Sequence, residues 1–85
     1  MEIQNSPKQF EFGIQPLDQI MNDLGIKNHD LVAASALQIT HKIVGKARKG
    51  RRLGRKVQLK IVDALNRVQG TTEFSLNDLF NYDGK

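Results

Sequence analysis

Residues 35–66 read SALQITHKIVGKARKGRRLGRKVQLKIVDALN, and the periodicity within this stretch decides the fold class. In its first half Ile39, Ile43, Val44 and Ala47 fall on one helical face, while Gln38, His41, Lys42, Gly45, Lys46 and Lys49 fall largely on the other. Ser35 and Gln38 have the spacing of a capping box and Gly50 suits a left-handed stop, so the pattern predicts a helix over residues 36–49. Gly45 lies inside it, at a cost of about 1 kcal/mol relative to Ala. In the second half Val57, Ile61, Ala64, Leu65 and Val68 keep helical spacing, with Leu59 and Val62 widening the stripe, which predicts a helix over 55–69 ended by Gly70. The basic loop between the two carries only Leu53 as an apolar anchor.

Charge is distributed as unevenly as hydrophobicity. From Leu31 to Val62 there are nine Lys or Arg and no Asp or Glu, although the net charge of the 85-residue chain is only +4. The remaining residues hold nine acidic side chains against four basic ones. A cationic middle between acidic ends is the electrostatic footprint of a polyanion binder. Arg48, Lys49, Arg51, Arg52, Arg55 and Lys56 crowd into nine positions, where they repel one another unless an anion relieves them.

Outward from the centre the elements are shorter. Pro16 opens a pattern with Leu17, Ile20, Met21 and Leu24 at i, i+3, i+4 and i+7, predicting a helix over 16–24 that stops at Gly25. Asn28 is the expected cap of a segment over 28–34, with Leu31 and Val32 buried and a very tight turn at Ser35. Ser75 and Asp78 form a second capping box, flanked by Phe74 and Leu79 as a hydrophobic staple, which predicts a short helix from Leu76 to about Asn81. Leu76, Leu79 and Phe80 should close the core. Residues 1–15 have no helical period and are expected to form a flexible tail, with extended character at most over 10–14. The expected organisation is therefore an all-α bundle of about five short helices over residues 16–82 behind an N-terminal tail.

Length and composition narrow the functional classes. A chain of 85 residues makes one domain, burying roughly 60–65% of its unfolded surface. It has no Cys, hence no disulfide, thiolate metal site or cysteine nucleophile, which suits a cytoplasmic protein. No long apolar run and no basic-then-apolar start is present, so neither a membrane span nor a secretory signal is expected. Five aromatics and no Trp leave little to line a ligand pocket. His29 and His41 are too far apart for a local metal site, Asp18 and Asp23 lie five positions apart and are read as solvent-facing charges, and Ser6, Ser35 and Ser75 have no base at local spacing. The segment from Gly50 to Gly54 lacks the spacing of a nucleotide-phosphate loop. No enzyme activity and no cofactor or metal is expected.

Residues 28–66 resemble the helix-turn-helix of lambda-repressor-like, Cro and phage-repressor type, DNA-binding domains. The resemblance is carried by Leu31-Val32-Ala33, by Lys46-Ala47-Arg48-Lys49-Gly50-Arg51-Arg52, and by Lys60-Ile61-Val62-Asp63-Ala64-Leu65-Asn66. The sequence departs from the family in lacking the common Gly in the turn at residues 35–37 and in carrying Arg48 where an acidic residue is frequent. The resemblance implies a transcription regulator that lays its second motif helix in the major groove of double-stranded DNA, with a homodimer as a possible form. On that docking Gln38, His41, Lys42 and Lys46 face base edges, while Thr40, Arg48, Lys49, Arg51, Arg52, Arg55 and Lys56 contact phosphate. For Gln38, Thr40, His41, Lys42 and Lys46 an ordinary solvated helix face is an equal expectation, while for the cluster from Arg48 to Lys56 the alternative is a basic surface loop kept for solubility. Two other classes fit the same charge pattern: an RNA-binding or ribosome-associated protein, and an interaction module for an acidic protein with Phe74, Leu79 and Phe80 near a dimer contact. The basic block has no aromatic platform for single-strand stacking.

Overall fold

A computed structural model describes residues 12–84; Met1 to Glu11 and Lys85, and with them most of the expected tail, lie outside the described residues. Five helices follow in order: α1 (Pro16–Leu24), α2 (Asn28–Ala34), α3 (His41–Lys49), α4 (Arg55–Gln69) and α5 (Leu76–Leu79), with no strand among the described residues. The chain is thus an all-α bundle. Its centre is α4, which packs against α2 and α5, while α1 crosses to α3 and α5.

The apolar stripes meet as the sequence spacing requires. Leu17 and Met21 of α1, Leu31 of α2, Val44 and Ala47 of α3, Ile61, Ala64 and Leu65 of α4 and Leu79 of α5 are fully buried in one cluster. Each large member contributes roughly 1.5–3 kcal/mol of burial. Ile26 is buried beyond α1, and its N–H donates to the Met21 carbonyl at 2.8 Å, the helix-ending contact expected after Gly25. Phe80 is buried in an extended conformation, so α5 ends at Leu79 rather than near Asn81. Leu79 and Phe80 therefore belong to the core and are not free for a dimer contact. At the head of α5 the Asp78 carboxylate accepts from the Ser75 N–H at 2.9 Å, and Asn66 of α4 brackets Phe74 through both backbone groups at 3.0 and 3.2 Å.

Three local expectations are corrected. The cap position of α2 is Lys27, whose N–H donates to the Asp30 carboxylate at 2.8 Å, while Asn28 is already helical and its side chain is used elsewhere. Helix α3 starts at His41, not at residue 36. Ser35 does not cap it: the Ser35 hydroxyl accepts from the Leu37 N–H at 3.0 Å and closes a turn, and Thr40 is the cap, accepting from the Ile43 N–H at 3.1 Å. The connection from α2 to α3 is accordingly six residues, 35–40, instead of a tight turn.

Both ends of the described chain are tied to the basic loop. The Phe12 N–H donates to the Gly50 carbonyl at 2.8 Å and the Gln15 N–H to the Arg48 carbonyl at 3.0 Å, so residues 12–15 are packed onto the bundle. Gln15 is buried, and its Oε1 accepts from the Asn81 N–H at 2.8 Å. Gly50 has φ 85°, and a Cβ there would run into the Gly13 carbonyl, so both its left-handed backbone and the close approach require glycine. At the other end the Gly84 carbonyl accepts from the Arg55 N–H at 2.8 Å and caps α4.

Candidate nucleic-acid interface

The candidate interface centres on α3, and the two sides of that helix differ. Val44 and Ala47 fix its inner face in the core. On the outward face Lys42, Gly45, Lys46 and Lys49 follow the i, i+3, i+4, i+7 spacing of one stripe, and with Arg51 they line a shallow recess. Helix α3 contains no acidic residue. Its first turn carries no acidic residue, as is also true of α4, whereas α1, α2 and α5 each carry an Asp there. The first-turn N–H groups of His41 and Lys42 and the exposed side chains of Thr40, His41 and Lys42 therefore surround an anion-favouring helix terminus.

Gln38 is exposed in the turn that leads to α3, not on the helix, and its φ of 55° makes it the one non-glycine residue with positive φ among the described residues. Left-handed backbone is what glycine adopts most readily, so Gln38 holds there a conformation that a glycine would take without strain. Ile39, immediately after it, is buried and anchors the turn to the core.

Arg48, expected among the phosphate contacts, is turned into the bundle instead. Its Nε donates to Asp18 Oδ1 at 2.6 Å, its Nη1 to Asn28 Oδ1 at 2.7 Å and its Nη2 to Asn22 Oδ1 at 2.9 Å. The Arg48 side chain is only 18% exposed and that of Asp18 26%, so the group is a clasp that joins α1, α2 and α3. Asp18 is in consequence not a solvent-facing charge. Sequence reasoning missed these partners; the spacing of Asp18 and Asn22, whose amide donates to the same carboxylate at 3.2 Å, was the one local signal of a shared polar face.

The backbone of the loop after α3 is braced by Tyr82. The Leu53 N–H donates to the Tyr82 Oη at 3.0 Å, the Tyr82 hydroxyl donates to the Arg51 carbonyl at 3.1 Å, and Leu53 itself is buried. Phe12 stacks on Tyr82 with ring centroids 4.2 Å apart, and Phe80 meets the same ring edge-on. Arg51 and Arg52 leave this backbone with exposed side chains. Arg55 pairs with Asp83 at 2.8 Å, both groups about half exposed, and Lys56 is exposed beside it on the first turn of α4. The structure therefore brings Lys42, Lys46, Lys49 and Arg51 together, places Gln38, Thr40 and His41 at the entry of α3, sets Arg55 and Lys56 at the head of α4, and withdraws Arg48.

Chemistry beyond charge is sparse. No group of three His, Asp or Glu suited to a metal ion occurs among the described residues, and none of the described helices is long and apolar enough to cross a membrane. His29 lies 3.2 Å from Asp30, exposed on α2. No family model, no curated protein and no solved structure matches the chain.

Proposed function

We propose that the protein is a small double-stranded DNA-binding protein of helix-turn-helix type, a transcription regulator that lays α3 in the major groove. The observation that carries this reading is the outward lysine stripe of α3 behind a turn with left-handed Gln38. Around it, α2 supports the motif from behind through Asn28 and the Arg48 clasp, and the loop braced by Tyr82 sets Arg51 and Arg52 alongside. Gln38, His41, Lys42 and Lys46 stand nearest the bases in this docking. Lys49, Arg51, Arg52, Arg55 and Lys56 supply phosphate affinity, with the exposed Thr40 hydroxyl at the head of α3.

The test is fluorescence anisotropy against a random-sequence duplex and a structured RNA of equal charge over a salt series. Duplex DNA binds more tightly, with log affinity falling against log salt at a slope of about four to six, roughly 0.9 per phosphate contact. Arg51→Ala with Arg52→Ala weakens binding to every duplex, whereas His41→Ala and Lys42→Ala change the preference among duplexes. Equal or tighter RNA binding assigns the cationic face to RNA, and no binding to either at low salt leaves it to an acidic protein partner.

A further inference from the structure

Gly45 is unexplained by the fold. A Cβ built on it would meet a single neighbouring atom, Asn28 Nδ2, at 3.9 Å, which is ordinary van der Waals contact. Its backbone is helical, with no positive φ to demand glycine. Alanine would therefore fit the bundle and would favour the helix, yet the residue in the middle of α3 is the poorest helix former short of proline. What distinguishes the position is its surroundings: it lines the recess whose other walls are Lys42, Lys46, Lys49 and Arg51. Four cationic side chains around a spot without a side chain make a shape into which a small anion can descend to the helix backbone. A base edge, which offers neutral acceptors, would need neither four charges nor so open a floor.

We infer that this recess seats one backbone phosphodiester of the bound duplex, with Gly45 as the point where the DNA comes closest to α3. Lys46, Lys49 and Arg51 hold the phosphate by charge, and Lys42, at the N-terminal rim, reaches past it toward the bases. Lys46 thereby moves from base reading to the backbone. This assignment rests on duplex binding through α3, and it adds a steric condition that charge alone does not impose.

The deciding variant is Gly45→Ala, which removes no charge. Its melting temperature is expected to equal or exceed that of the parent, while its affinity for a random-sequence duplex falls at least fivefold, equally on unrelated sequences. Lys46→Ala lowers the salt slope by about 0.9, as the loss of one phosphate contact requires. Unchanged affinity of Gly45→Ala overturns the seat while leaving duplex binding through α3 intact. A second arm does not depend on DNA: inorganic phosphate titrated into the wild-type protein shifts the backbone amide resonances of Gly45 and Lys46 in heteronuclear NMR, and the Gly45→Ala variant loses this response. If phosphate shifts those amides but no duplex binds, the recess stands and the DNA reading falls; if phosphate leaves them unmoved, the seat is overturned.

Discussion

The two flanks of α3 carry the same kind of residue to opposite ends. Arg48 is turned inward and satisfied by Asp18, Asn22 and Asn28, so its charge holds three helices in register. Lys49, the next residue, is exposed on the stripe with Lys42 and Lys46. Charge density in a sequence therefore says little about which cations face a partner. A planar guanidinium with five fixed donors suits the buried fork, and a flexible ammonium with one strongly hydrated charge suits the open stripe.

That contrast gives the largest predicted effect. Arg48→Ala removes the three hydrogen bonds that join Asp18, Asn22 and Asn28 to α3 and lowers stability by about 2–3 kcal/mol, read as a lower midpoint in urea. Lys49→Ala leaves the midpoint within about 0.5 kcal/mol of the parent and shows its loss only in duplex affinity. Comparable destabilisation by both substitutions would erase the distinction between the flanks. At the entry to the helix, Thr40→Ala removes the hydroxyl that accepts from Ile43 and costs about 1 kcal/mol, with faster amide hydrogen exchange at Ile43 as its local signature. The smallest effect has the opposite sign: Gln38→Gly relieves the left-handed backbone and raises stability by about 0.5–1 kcal/mol. No gain there would mean that the Gln38 side chain repays its own strain.

How much of this was legible in the sequence depends on the range of the interaction. Helices α1, α2 and α4 start and stop where proline, glycine and the apolar period say, because those signals act within one turn. The start of α3 departs from the expected one for a specific reason. Ile39 is buried from the turn, so it continues the helical period of Ile43 and Val44 without being helical, and the Ser35–Gln38 spacing then invited a cap five residues too early. The cap that the structure uses is Thr40, a residue type nearly as favoured at that position as Ser, and it gives the shorter helix. The lysine stripe was visible as spacing, since residues three and four apart share a helix face. The Arg48 clasp was not, because Asp18 and Asn28 lie 30 and 20 positions away and no local pattern encodes them.

The bracing of the loop has a consequence for anything joined to the bundle. Phe12 is bonded to Gly50 and stacked on Tyr82, and Gly84 is bonded to the first residue of α4, so both ends of the described chain emerge at the shoulders of the cationic loop. Whatever is joined directly to Phe12 or Gly84 therefore leaves the bundle next to the cationic loop. A basic extension at these points would widen the cationic surface and an acidic one would neutralise it, so the charge of this face can be changed from the ends without touching the core.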